Sequence, residues 1–203
     1  MTAARPPAPP TLLNGRAETR RDKLLAAAVQ LFRERGFHGA GVDDIGAAAG
    51  IAGPSVYRHF ESKDSLLVAV FDAVVDHLLA AADDIVAGAA SPHEALAALV
   101  DFHLDFALDN AGLIVVYEQE ERNVAEPDRR RVRRRQRSYV DRWMEPLGRV
   151  VGDTDAAELR TRVHAAVGLI HSVAHYRVAL PRPELHAVIR AMAMAAMLAD
   201  ASG

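Results

Sequence analysis

The chain has 203 residues, half of them apolar and a quarter charged, with a formal net charge of −3 and no cysteine. That size and apolar share allow one sizeable core or two small ones and exclude a disordered polyelectrolyte. Without cysteine there is no disulfide framework, thiolate zinc site or thiol nucleophile, which fits a reducing cytoplasm. Alanine and leucine abound, β-branched alternation is scarce and only 5% of residues are aromatic, so the predicted fold is all-α, with about nine helices.

Residues 1–15 are proline-rich and read as a flexible arm, with Arg5, and Arg16 just beyond it, as optional phosphate contacts. The opening MTAARPPAPP lacks the apolar stretch of a signal peptide, and no run is read as approaching the roughly 20 apolar residues of a membrane span, so no membrane partner is expected. A first helix is predicted from about Ala17 to Arg35, with Leu24, Leu25, Ala28, Leu31 and Phe32 as its apolar stripe and Gly36 as its stop.

Residues Val42 to Lys63, VDDIGAAAGIAGPSVYRHFESK, then hold two short helical patterns. Val42, Ile45 and Ala49 form the stripe of the first, and Asp43 and Asp44 sit in its first turn, favourably placed against the helix dipole. Gly50 stops it, and Gly53-Pro54 opens the second, whose buried face is Val56 and Phe60. Two helices joined by a short glycine-bearing turn make a helix-turn-helix. Ser55, Tyr57, Arg58 and His59 fall on its unclaimed face, and Lys63 follows near the start of a third helix. Hydroxyl, imidazole and ammonium donors suit phosphate oxygens, and an arginine can grip guanine with two hydrogen bonds. The plainer alternative is a solvated polar face on a helical hairpin.

The first helix, Gly36-Phe37-His38, the hairpin, and the run Tyr57-Arg58-His59-Phe60-Glu61-Ser62-Lys63-Asp64-Ser65-Leu66-Leu67 resemble the TetR family of bacterial repressors over about the first 75 residues. The resemblance implies that Tyr57, His59 and Lys63 touch DNA phosphates. Two departures stand out. Gly41 and Ala52 occupy positions where the family often has a capping Ser or Thr, and Gly53-Pro54 offers no side-chain hydrogen bond to a base. Direct base reading is left to Pro54 or Ser55 against a thymine methyl and to Arg58. Charge agrees: residues 1–63 carry nine Lys/Arg against six Asp/Glu, and residues 64–203 carry fifteen against twenty-one. The basic half is the half with the hairpin, so binding should weaken as salt rises.

Beyond Lys63 a long amphipathic helix is expected to run to about Ala87 and to link a DNA-binding head (16–63) to a ligand-binding and dimerisation body (64–203). Pro92 opens a helix that Gly112 breaks, Leu113 to Arg122 form a shorter one, and Pro127 starts another that ends near Gly148. Asp153 or Thr154 is the expected cap of a helix from about Ala156 to Val178, and the last runs from Glu184 to Ala199. The final two helices are apolar almost all round and rich in alanine and methionine, which predicts a homodimer built on them. A two-fold dimer implies a near-palindromic operator.

Phe102, His103, Phe106, Tyr117 and Trp143, with His171, form the candidate ligand pocket, although each taken singly is more often plain core. Seven arginines between Arg129 and Arg137 read first as a solvated face balanced by Glu118, Glu120, Glu121, Glu126 and Asp128. The sharper alternative is a pocket mouth that holds the phosphates of an acyl-coenzyme A, in keeping with relatives of similar recognition helix that respond to fatty-acyl or sterol-derived thioesters. His164, His171 and His175 share a helical face at a spacing that zinc accepts, but no further ligand is identifiable, so they are read as pocket or interface histidines with hydrogen bonds, and neither metal nor cofactor is expected. No catalytic motif occurs. The expectation is therefore a ligand-responsive, homodimeric repressor that binds double-stranded DNA and a small-molecule effector. The alternatives are a helical small-molecule-binding or metal-binding protein with a purely structural hairpin, and a non-specific architectural DNA binder.

Overall fold

A computed structural model describes residues 19–175 and 179–199. The proline-rich arm, Arg5, Arg16, Ala17 and the expected helix end at Val178 lie outside the described residues. Among those described there are nine α-helices and two short 3-10 turns, and no strand.

Helix α1 spans Arg20–Gly39 and starts at Thr19, whose hydroxyl accepts from the Asp22 amide while the Asp22 carboxylate accepts from the Thr19 amide. The Thr19 hydroxyl, which donates to the Asp22 carboxylate at 2.7 Å, and after it the Thr19 amide hold that carboxyl below its usual range. Gly36 kinks the helix instead of ending it, and one further turn places Phe37 in the core. Helices α2 (Val42–Ala48) and α3 (Gly53–Val56) form the hairpin. Gly50 between them has φ of +68°, a left-handed conformation that side chains resist. Where the sequence suggested a helix reaching Phe60, α3 is a single turn, and Tyr57 to His59 continue as a tight turn held by bonds from the His59 and Phe60 amides to the Val56 carbonyl.

Helix α4 (Lys63–Gly88) is capped by Ser62, and α5 (Pro92–Asp109) by Ser91. The break after α5 comes at Asn110, so Gly112 lies inside α6 (Ala111–Glu120) and not at a helix end as the sequence reading had it. Helix α7 covers Glu126–Val151, and α8 covers Ala156–His171. The cap of α8 is Asp155, one or two positions later than expected; its carboxylate accepts from the Ala157 and Glu158 amides at 2.7 and 2.9 Å. Helix α9, Arg182–Leu198, closes the described chain.

Contrary to the sequence reading, α4 is long and apolar enough to cross a membrane by length and composition alone. About half of its most apolar stretch is buried inside this chain, because α4 serves two cores at once. One apolar cluster joins α1, the hairpin and the first half of α4 to Leu113, Val116, Val124 and Val132 of the body. The other surrounds Trp143 between α4, α5, α7, α8 and α9. Fully burying a side chain such as Leu66 or Leu99 contributes about 1.5–3 kcal/mol, so these two clusters carry the fold.

Candidate functional site

The hairpin folds tightly because its crossing has no side chains in the way. A Cβ on Gly46 would lie 2.8 Å from the Ile51 carbonyl oxygen, and one on Gly53 would overlap the Asp43 carboxylate. The Asp43 carboxylate is the exposed end of a flexible side chain and can swing aside, so the demand for a glycine is firm at Gly46 and not at Gly53. Val56 and Phe60 turn inward, which leaves Tyr57, Arg58 and His59 exposed on one tight turn, Tyr57 at 55%. Pro54 is exposed and Ser55 half-buried beside them. Lys63, in the first turn of α4, holds its ammonium 4.5 Å from the centre of the Phe37 ring, and Arg21 stands 5.0 Å over Phe60. An exposed aromatic, a guanidinium, an imidazole and an ammonium therefore share the end of the head, a set able to meet phosphates and one groove edge.

Behind the head lies a cavity of about 230 Å³ between α4, α5, α6, α7 and α8. Helix α4 supplies Val70, Phe71, Val74, Val75 and Leu78, and α6 supplies Leu113, Ile114 and Tyr117. Of the pocket residues proposed from sequence, His103, Phe106, Tyr117 and His171 line it. Phe102 and Trp143 do not. Phe102 packs against His77, and Trp143 is fully buried with its ring edge-on to His103 at 5.9 Å. The sequence reading missed Gln136, Tyr139, Val140 and Val167, which reach the cavity from α7 and α8; His164, read as a pocket or interface histidine, lines it too. Tyr139, one turn before Trp143, was the one signal at hand.

Two polar groupings break the apolar wall. Tyr117 donates to Gln136 Oε1 at 2.7 Å; burial, with the Glu121 carboxylate second, pushes its hydroxyl up to about 12. In the second, Tyr139 Oη lies 3.1 Å from His103 Nδ1, and His103 Nε2 lies 3.1 Å from His171 Nε2. Burial, aided by the neighbouring imidazole, holds His103 well below the ordinary histidine range, and burial also lowers His171.

The three histidines weighed as metal ligands go separate ways. His171 faces His103, His175 pairs with Glu118 at 3.0 Å, and His164 is exposed at the cavity rim. Among the described residues no three metal-ligating side chains converge. The arginine run is tied down by carboxylates, some of them foreseen: Arg129 and Arg130 pair with Glu126, Arg133 with Glu121, and Arg131 with Asp128. Unforeseen was its grip on α4. Arg131 and Arg135 both hold Asp72, at 2.7 and 3.0 Å; Arg135 also pairs with Asp76, and Arg142 holds Asp83 at 2.7 Å.

Known proteins fit this layout. Residues 24–70 match the family model described as bacterial regulatory proteins of the tetR family, and residues 89–176 match a tetracyclin repressor-like C-terminal domain. The transcriptional activator FasR of Mycolicibacterium smegmatis is 35% identical over 104 residues, 51% of this chain and 48% of that protein. The transcriptional repressor KstR2 of Mycobacterium tuberculosis is 33% identical over 115 residues, 57% of this chain and 58% of its own. The match thus spans about half the length of these curated relatives. The solved structure of KstR2 superposes with a TM-score of 0.69 at 25% identity, covering 89% of this chain and 95% of that one. AibR, solved with isovaleryl coenzyme A and operator DNA, shares the fold with a TM-score of 0.71 at 18% identity, covering 86% of this chain and 97% of that one.

Proposed function

The chain belongs to the TetR family of bacterial regulatory proteins, and on that premise we propose that it is a ligand-responsive DNA-binding transcriptional repressor, released from a near-palindromic operator by a small apolar or acyl-type effector. It acts as a cytoplasmic homodimer through α8 and α9, and it is not an enzyme. Val188 and Met192 leave 46% and 51% of their surface exposed on α9, in keeping with a partner there. Tyr57, His59 and Lys63 anchor phosphates, Gly53 and Pro54 approach the DNA with backbone and ring, and Ser55 and Arg58 read bases. Trp143 contributes to the effector site from behind, edge-on to the His103 ring that lines the cavity, whereas Phe102 packs on His77, which does not line it.

The observation that carries this reading is that Val70, Phe71 and Leu113 line the cavity and also belong to the apolar cluster that holds the DNA-binding head. A ligand that repacks those three side chains necessarily disturbs the seat of α1 and the hairpin. Because packed cores switch between discrete arrangements and do not deform smoothly, a coupling of about 1–3 kcal/mol is within reach. An acyl chain suits the apolar walls, and a coenzyme A thioester is the form in which AibR was solved.

The test is selection from a random duplex library with purified protein, then anisotropy on the enriched sequence. Enrichment of a palindrome by a dimer, lost in Tyr57→Ala with an unchanged melting temperature, is the expected result. Equal binding to palindrome and random duplex would sink it.

A further inference from the structure

The row Tyr139, His103, His171 gives the cavity a chemical preference. His103 is 2% exposed and sits between two polar atoms, each 3.1 Å away. Charging it would bury an imidazolium against a second imidazole, so both rings are neutral, and a neutral imidazole has one donor and one acceptor. The row therefore has a direction. In one direction Tyr139 Oη donates to His103 Nδ1, His103 Nε2 donates to His171 Nε2, and the row ends in an N–H at His171 Nδ1. In the other, His171 donates to His103 and His103 donates to Tyr139, and the tyrosine hydrogen has no acceptor among the described residues. Leaving a buried hydroxyl unpaired is costly, so the first direction is favoured. It leaves the His171 Nδ1–H without an acceptor among the described residues, on a ring that lines the cavity beside the Gln136 amide and the exposed His164. Among the described residues no Lys, Arg, Asp or Glu lines the cavity, and the Tyr117 hydroxyl is already spent on Gln136.

We propose that the cavity selects apolar molecules bearing one uncharged hydrogen-bond acceptor, a carbonyl oxygen of a ketone, ester or thioester, which takes the His171 Nδ1 proton, and that it rejects carboxylates. A carboxylate would be buried with no lysine or arginine to meet it, whereas a carbonyl pairs with a donor that otherwise goes unused. This rests on the reading of the cavity as the effector site. His171 is the residue that sets specificity; Tyr139 and His103 are positioning residues that fix its tautomer.

The full chain carries its own reporter, because Trp143 is the only tryptophan and stands edge-on to His103. Titration by tryptophan fluorescence with methyl octyl ketone and with decanoate, near neutral pH and without DNA, should show the ketone binding at least about tenfold more tightly. His171→Leu should lose about tenfold in ketone affinity, whereas His171→Gln, which keeps an N–H, should lose less. Nitrogen NMR of the histidine-labelled wild type should show the ketone shifting His171 Nδ1, a change that loss of packing would not produce. Equal binding of decanoate, failure of the ketone to bind, or an unmoved His171 resonance overturns the proposal, and the NMR arm holds even where a variant does not fold. A chain that binds the ketone but no operator overturns the regulator reading alone. One that binds an operator yet takes decanoate as readily overturns this proposal alone.

Discussion

Gly112 lies so close to the backbone of Arg33 that a Cβ on it would stand 2.8 Å from the Arg33 carbonyl carbon and Cα and overlap the carbonyl oxygen. The Arg33 guanidinium donates back to the Asp109 carbonyl at 3.1 Å, so the α5–α6 corner is riveted to α1. The body touches the head here backbone to backbone, one residue before Leu113, which belongs to the head's apolar cluster and lines the cavity.

Gly112→Ala must therefore push α6 off α1. The expected loss is about 1–3 kcal/mol, a fall of roughly 2–12 °C in melting temperature for a domain of this size, together with a changed operator affinity. Calorimetry and anisotropy on the same preparation check both, and an unchanged melting temperature would contradict the close approach.

Asp72 joins two arginines of α7 to the helix that carries the DNA head. Its carboxylate is only partly shielded, so Asp72→Asn should cost no more than about 1 kcal/mol per pair, and less as salt is added. The larger effect is expected on switching: the ratio of operator affinities with and without effector should change while the affinity of the free protein holds. Anisotropy with and without ligand measures that ratio.

Burial keeps His103 neutral in the folded protein, whereas the unfolded chain protonates it near the ordinary value of 6.5. A depressed folded-state pKa means stability that is full above about 6.5 and is lost as pH falls below it, by up to about 1.4 kcal/mol per pH unit for each such histidine. Urea unfolding between about pH 7 and 5.5 should show this slope, and His103→Gln should make it shallower, leaving the share of His171 and His77, which burial also lowers.

Trp143 is fully buried at the centre of the body. Trp143→Ala should cost about 3–5 kcal/mol, enough to consume much of the stability of an ordinary domain, whereas Trp143→Phe should fold and lose the fluorescence signal. Circular dichroism melts distinguish the two.

Lys63 stacks its ammonium on Phe37 and can still reach a phosphate. Lys63→Ala should lower the slope of log affinity against log salt by about 1 and cost about 0.5–1 kcal/mol of stability through the lost cation–π contact. An unchanged salt slope would remove Lys63 from the phosphate contacts.

Much of the fold was legible because its signals are local. Helical stripes such as Leu24, Leu25, Ala28, Leu31 and Phe32 announce themselves at a period of 3.6, and Gly50 with its positive φ marks the hairpin turn wherever the rest of the chain lies. The site was legible only in part. His103, Phe106, Tyr117 and His171 were found by residue type, but Phe102 and Trp143 share that type and pack elsewhere, since a helical period gives a face and not the neighbour it meets.

The amino-acid sequence by itself determined the nine α-helices found among the described residues, a tight hairpin and a cluster of exposed donors at its tip, because caps, stripes and turn residues act within a few positions along the chain. Only the tertiary structure decided that Arg131 and Arg135 spend themselves on Asp72, that Gly112 is a point of contact and not a helix stop, and that His103 meets His171 across 68 residues. Those pairings depend on how helices cross, and helix crossing is settled by the sum of the packed side chains, not by any one of them.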